Sequence, residues 1–200
     1  MDRTEGETAE AIQLLYVNDD TDFAELARAK LRTIDPAIEV TTAGTAAAAL
    51  ERLDTAGIDC VVTSYSLPDG TGIDLLERLR TDDEALPTIL FTGRGSERIA
   101  SEATQADVSD YIPMRPGENS FELLARRVRT LVDAARKEAA AERLSDRFQR
   151  TLERATDAIY AVDSKWRIEY MNEKMGERVG RDPDTLVGET IWEEFPSIVG

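Results

Sequence analysis

The sequence predicts an α/β chain: a doubly wound five-stranded parallel sheet, then a long helical linker and a partial α+β segment. Three observations carry this. Short apolar runs alternate five times with stretches of helical spacing, the pattern of a parallel sheet covered on both faces. From residue 118 to 175 no glycine or proline interrupts the chain, and apolar residues there recur at the three-four spacing of a helical seam. Beyond Asp157 the pattern changes to two short β-rich runs around a turn.

The elements follow in order. Residues 1–10 are polar and acidic and read as a disordered lead. Residues 12–17 form a strand, ended by Asn18-Asp19-Asp20. Apolar residues at Phe23, Leu26, Ala27 and Leu31 mark a helix. Residues 38–41 alternate like a strand. The Ala-rich stretch over 45–53 is a helix with Thr45 as N-cap. Residues 58–63 form a buried strand around Cys60-Val61-Val62, Pro68-Asp69-Gly70 a turn, and Ile73, Leu76 and Leu79 one face of a helix. Residues 88–91 are the fourth strand, 96–106 a helix and 110–112 a short fifth strand. The next helix begins near Ser120, with apolar positions at Phe121, Leu124, Val128, Leu131 and Ala135. The pattern slips over 138–142 and resumes at Leu144, Phe148, Leu152 and Ala155. Residues 158–162 and 166–171 read as a hairpin about Asp163-Ser164-Lys165. The expected organisation is a lead over 1–10, a doubly wound domain over 11–135, a linker helix over 136–151 and an incomplete domain over 152–200.

Composition excludes several functions. The net charge is −16, from 40 acidic and 24 basic side chains. Nucleic-acid binding needs a basic surface to neutralise phosphates, so no direct nucleic-acid role is expected. The acidity reads as a solvated surface suited to a salt-rich cytoplasm, where screening weakens self-repulsion. There is no histidine, which removes Ser-His and Cys-His nucleophile pairs, histidine metal ligands and any phosphohistidine in this chain. Cys60 is the only cysteine, so neither an intramolecular disulfide nor a cysteine metal cluster can form. The polar start lacks the apolar core of a signal peptide, and no run approaches the roughly 18 apolar residues of a membrane span. A soluble, cytoplasmic chain is expected.

In doubly wound sheets, sites lie at the carboxyl ends of the strands. Asn18, Asp19, Asp20, Ser64, Thr92 and Met114 fall there. These ends, with the segments Leu14-Leu15-Tyr16-Val17-Asn18-Asp19-Asp20, Cys60-Val61-Val62-Thr63-Ser64-Tyr65-Ser66-Leu67-Pro68, Leu90-Phe91-Thr92-Gly93 and Asp110-Tyr111-Ile112-Pro113-Met114, make residues 11–135 resemble the flavodoxin-like receiver domain of two-component response regulators. Residues 152–200 resemble the opening of a PAS domain, through the hairpin, Tyr170-Met171-Asn172-Glu173, Gly188 and Ile191-Trp192-Glu193-Glu194-Phe195-Pro196. The acidity and phrasing are similar to receiver–PAS proteins of halophilic archaea.

The receiver resemblance implies a chemistry and assigns positions to it. In an active receiver an aspartate attacks a phosphohistidine, and Mg2+ held by acidic side chains neutralises the phosphoryl group. A lysine then contacts the phosphate, while a hydroxyl and an aromatic side chain turn inward. Here the acceptor position is Ser64, which cannot form an acyl phosphate. The lysine position is Met114, whose thioether cannot pair with phosphate. The first metal acid is Asn18, leaving Asp19 and Asp20 as weak Mg2+ ligands. A one-residue slip would make Asp19 and Asp20 the acid pair. The switch hydroxyl Thr92 and the switch aromatic Tyr111 are present.

The expected function is therefore a non-enzymatic signalling module. It binds protein partners without phosphorylation, dimerises through the helix over 121–155 and is coupled by that helix to the PAS-like segment. The alternative is a working phosphorelay receiver using another carboxylate, Asp69 or Asp74, in a receiver–PAS kinase or transcriptional regulator. A flavin carrier is disfavoured, because the acidic, glycine-free loop after the first strand would repel a flavin phosphate. The PAS resemblance implies a ligand pocket and an output domain, kinase or DNA-binding, beyond Gly200.

Overall fold

The computed structural model describes residues 10–55, 57–82, 85–93, 97–115 and 119–195. The acidic lead expected over 1–10 falls almost wholly outside them. The chain divides into two compact units, residues 1–137 and 138–200.

The first unit is built on a five-stranded sheet. Its elements are β1 (Ile12–Val17), α1 (Thr21–Ile34), β2 (Ile38–Ala43), α2 (Ala46–Leu53), β3 (Cys60–Thr63), the two-residue strands β4 (Ser66–Leu67) and β5 (Gly70–Thr71), α3 (Gly72–Asp82), β6 (Thr88–Thr92), α4 (Glu97–Gln105), β7 (Asp110–Pro113) and α5 (Ser120–Glu153). The sheet order is β2-β1-β3-β6-β7, and every pairing within it is parallel. This is the doubly wound order, with helices on both faces as the alternation of elements requires. β4 and β5 pair separately as an antiparallel clip around the Pro68-Asp69 turn.

Side chains alternate across the sheet. Ile12, Leu14, Tyr16, Cys60, Val62, Ile89 and Phe91 face Ala24, Ala27 and Leu31 of α1 and Leu124, Ala125, Val128 and Val132 of α5. Phe121 completes that layer, its ring 5.5 Å from Phe91 and 6.0 Å from Phe23. Leu15, Val17, Val61 and Leu90 face the other way, against α2, α3 and α4. The three interior strands, β1, β3 and β6, are thus apolar on both faces, as a parallel interior requires. The single thiol, Cys60, is fully buried, and burial raises its pKa.

Local chemistry sets the element ends. Asp20 caps α1 by accepting from Phe23 N at 3.0 Å, and Thr45 caps α2 by accepting from Ala48 N at 3.1 Å. The Asp69 carboxylate reaches back from the clip to accept from Ala46 N and Ala47 N, at 2.9 and 3.0 Å. These orphan N–H donors and the positive helix end hold its pKa below the usual carboxylate value. Gly72, the first residue of α3, lies against the end of β3. An added Cβ would sit 2.0 Å from the Ser64 carbonyl oxygen and 2.9 Å from Thr63 Cγ2.

At the opposite end of the sheet, arginines of α5 hold the helix to the strands. Arg129 donates to Asp35 at 2.7 Å. Arg136 forks onto Asp59, at 3.3 and 3.0 Å, and donates to Ala11 O at 2.7 Å. Asp59 also accepts from Gln13 N at 2.8 Å, so one carboxylate ties α5 to the start of β1.

The second unit contains the remainder of α5, the antiparallel pair β8 (Tyr160–Val162) and β9 (Ile168–Met171), α6 (Glu173–Val179), a 3-10 turn (Pro183–Thr185) and α7 (Ile191–Glu194). The hairpin is present, but its strands are shorter than the sequence suggests. Asp163 accepts from Lys165 N and Arg167 N, both at 2.8 Å, which holds the turn. Trp166 has a φ of 64° and belongs to the turn rather than the strand. Arg167 bridges to Thr190 instead. A small core forms from Ile168, Met171, Leu186 and Ile191.

Asn172 organises this unit. It is fully buried. Its Oδ1 accepts from Ile159 N and Met175 N, at 2.9 and 3.0 Å, and its Nδ2 donates to Leu152 O and Asp157 O, at 3.2 and 2.9 Å. Glu153 reinforces it by accepting from Tyr170 Oη at 2.9 Å and Glu173 N at 3.2 Å. The last turn of α5 is thereby tied to β9 and α6.

Three outcomes follow. Gly72→Ala destabilises the first unit by about 1–3 kcal/mol, the usual cost of overpacking, seen as a lower urea midpoint with an unchanged slope. Asn172→Ala lowers the unfolding midpoint of the second unit, at about 1–3 kcal/mol for the buried backbone groups it orphans. Asp69→Asn removes an acid-sensitive contribution. Its folded pKa lies below the ordinary value of 3.8, so its stabilisation is present above that value and lost as pH falls through the folded pKa. Acid titration of thermal stability should be flatter in the variant.

Candidate functional site

The carboxyl ends of β1, β3 and β6 converge on a shallow depression of about 250 Å3. Six residues singled out from the sequence, Asn18, Asp19, Asp20, Ser64, Thr92 and Met114, all line it, with Phe23, Ser66 and Gly93. They come from four separate stretches of sequence. The parallel register brings them together, since β1, β3 and β6 end side by side and the chain leaves each strand on the same edge.

Each side chain has a definable state. Asn18 follows β1 directly and is 8% exposed. Its N–H donates to Ala43 O at 2.9 Å, and its Oδ1 accepts from Asp20 N at 2.9 Å. The Asp20 carboxylate is the α1 cap. Ser64 N donates to Val17 O at 2.9 Å, which sets the residue at the end of β3. Its Oγ donates to Ser66 O at 2.9 Å. Thr63 donates from Oγ1 to Ser64 O at 3.1 Å, the same carbonyl against which Gly72 packs. Thr92 is buried at the end of β6. Met114 N donates to Thr92 O at 2.8 Å, and the Met114 side chain packs on the α1/α5 core layer.

The lining carries two carboxylates and no basic side chain. Its field repels anions. A divalent cation of the Mg2+ type takes hard oxygen ligands, carboxylates above all. Here one carboxylate caps a helix, the neighbouring position is an amide and the third is a hydroxyl. Among the described residues no group of three or more acidic, histidine or cysteine side chains is placed to hold a metal. The donor set does not fit a Mg2+ site, with Asp19 the single carboxylate not engaged as a cap.

Tyr111, the expected switch aromatic, lies outside this depression. Its side chain packs on the α2/α3/α4 layer and lines a neighbouring hollow of about 480 Å3 with Gly93, Glu97, Ala100, Pro113, Met114 and Arg115. Met114 is common to both. Asp69 and Asp74, the alternative carboxylates, are elsewhere. Asp69 holds the start of α2. Asp74 accepts from Thr71 N at 3.0 Å and Thr71 Oγ1 at 2.7 Å, closing the first turn of α3.

One feature of the site edge was not anticipated. Tyr65, adjacent to Ser64, donates from its hydroxyl to Glu102 at 3.2 Å. Arg98 pairs with Glu102 at 2.6 Å, donates to Tyr65 Oη at 3.3 Å and lies over the tyrosine ring at 6.0 Å. The loop after β3 is thus tied to α4. Only the Arg98–Glu102 spacing of four on one helix face was visible in the sequence. Its link to Tyr65 crosses between elements distant in the chain.

Known proteins place this unit in a family. Residues 14–120 match the family model of the response regulator receiver domain. The methanogenesis regulatory protein FilR1 of Methanothrix harundinacea is 34% identical over 110 residues, covering 54% of this chain and 25% of that protein. The probable transcriptional regulatory protein TcrX of Mycobacterium tuberculosis is 32% identical over 103 residues, 50% of this chain and 42% of that one. The similarity spans only a quarter to just over half the length of such relatives. Among solved structures, the CheY-like receiver domain from Methanospirillum hungatei superposes with a TM-score of 0.56 at 26% identity, covering 64% of this chain and 99% of that one. A receiver domain from Vibrio parahaemolyticus, at 22% identity and a TM-score of 0.58, shares the fold. Through its first unit, this chain belongs to the response regulator receiver domain family of two-component signalling.

Proposed function

We propose that this receiver domain signals without phosphorylation, as a non-enzymatic module that binds protein partners in the cytoplasm and is coupled by α5 to a PAS-like sensor segment. The observation that carries this is the state of Ser64. It occupies the position that the family resemblance assigns to the phosphate-accepting aspartate, and its hydroxyl is turned onto the Ser66 carbonyl. A serine has no carboxylate to form an acyl phosphate, and without histidine no imidazole base can activate it. Met114 supplies no cation for a phosphate, and the lining offers none in its place. Asp69 and Asp74 are engaged by backbone and side-chain donors away from the depression, which counts against the phosphorelay alternative.

The remaining contacts suit a module that works through surfaces. Tyr65, Arg98 and Glu102 tie α4 to the loop after β3 through side chains of this chain. The PAS-like reading of the second unit rests on its hairpin, its Asn172 cap and the small core around Leu186 and Ile191. No helix of the described residues is long and apolar enough to cross a membrane. The strong acidity suits the haloarchaeal, salt-rich setting that the sequence suggests.

Incubation with Mg2+ and a small phosphodonor, followed by intact-mass measurement, tests this. The unaltered chain should gain no labile adduct. The triple variant Asn18→Asp, Ser64→Asp, Met114→Lys should gain one phosphoryl group, lost on hydroxylamine treatment. A labile adduct on the unaltered protein would sink the proposal.

A further inference from the structure

Helix α4 is lightly held along its length and fastened by different means at its two ends. It has nine residues, and an isolated helix so short is marginal in water. Ile99 and Ala103 are its only buried side chains, and an alanine removes little apolar area from water. Past its carboxyl end, Arg80 of α3 donates from Nε and Nη2 to Asp107 O, at 2.9 and 2.6 Å. Asp107 has a φ of 51°, so the backbone takes a left-handed turn at that point.

Toward the other end the fastening is a closed ring of three side chains. The Tyr65 hydroxyl donates to Glu102 and accepts from Arg98, and Arg98 pairs with Glu102. Arginine four residues ahead of glutamate is the less favourable order on a helix, and an exposed pair contributes little alone. The pair matters through the phenol it grips, which stands on another element. Tyr65 is itself fixed: its carbonyl accepts from Gly72 N at 2.8 Å, and its ring packs on the α2/α3/α4 layer. At 3.6 residues per turn, Arg98 and Glu102 lie on one flank of the buried Ile99–Ala103 line. Glu97 and Ala100, which wall the hollow of about 480 Å3, lie on the other.

We infer that Tyr65, Arg98 and Glu102 form a latch that holds the first part of α4, and with it the Glu97–Ala100 wall of the hollow, to the loop after β3. The Arg80–Asp107 contact is the pivot about which α4 swings when the latch opens. With the latch closed, the helix has both ends pinned and the hollow keeps one shape. With it open, the carboxyl end stays on its pivot and the amino-terminal part, held by Ile99, moves. This deepens the interaction-module reading by naming what fixes one of its surfaces. It rests on that reading for the use of the surface, not for the latch itself.

Amide hydrogen exchange of the full chain, read by mass spectrometry, tests the latch. Tyr65→Phe keeps the ring and removes the hydroxyl. Exchange over residues 97–102 should rise roughly tenfold, the effect of losing about one hydrogen bond, while residues 103–107 and strands β1 and β3 keep their rates. Glu102→Gln, a change at the surface, should give the same pattern. The two together should exchange no faster than the more affected single variant, because both open one ring. Arg80→Gln frees the pivot and should speed residues 103–107 instead. Unchanged exchange over 97–102 in Tyr65→Phe, loosening spread evenly along α4 or into the sheet, or additive effects of the two latch variants would overturn the inference. Phosphodonor adducts report on the Ser64 depression alone, so the latch and the phosphorylation-independent reading can fail separately.

Discussion

The structure of the first unit depends on the burial of β1 and β3 from both faces. Leu14 and Tyr16 point to one core layer and Leu15 and Val17 to the other, and all are fully buried. Once both faces are covered by helices, polar groups can gather only at the strand ends. The depression holding Asn18, Asp19, Asp20, Ser64, Thr92 and Met114 follows from this. These residues share one place because their strands run the same way and stop at the same level.

The fixation of that edge is built from backbone contacts more than from charges. Ser64 is held by Val17 O, by Ser66 O and by the close approach of Gly72, none of which requires an aspartate side chain. The scaffold around Ser64 therefore stands without a carboxylate at this position, because backbone contacts and side chain rest on different atoms of the same loop.

Much of this was legible in the sequence. The order of strands and helices, the Thr45 cap and the convergence of six residues from four stretches of sequence all follow from apolar periodicity and the strand-end rule. The Asp163 turn was legible too, but Trp166 was not: a large aromatic at positive φ is rare, and the alternating pattern makes it look like part of a strand. The link from Tyr65 to α4, the reach of Asp69 to α2 and the four bonds of Asn172 were also hidden. Each joins residues whose proximity is set by the tertiary fold, and each involves a polar side chain whose local pattern is that of ordinary surface. Tyr111, named in the sequence only as the switch aromatic, turns its side chain to the α4 side of the sheet.

The position of Cys60 has a practical consequence. The single thiol lies at the heart of the sheet, sealed on both sides and with its ionisation suppressed by burial. A reagent that needs a thiolate can reach it only when β1 and β3 part. The rate at which it is labelled is thus a clock of whole-domain opening, and the intact molecule is indifferent to oxidants that would change a surface thiol.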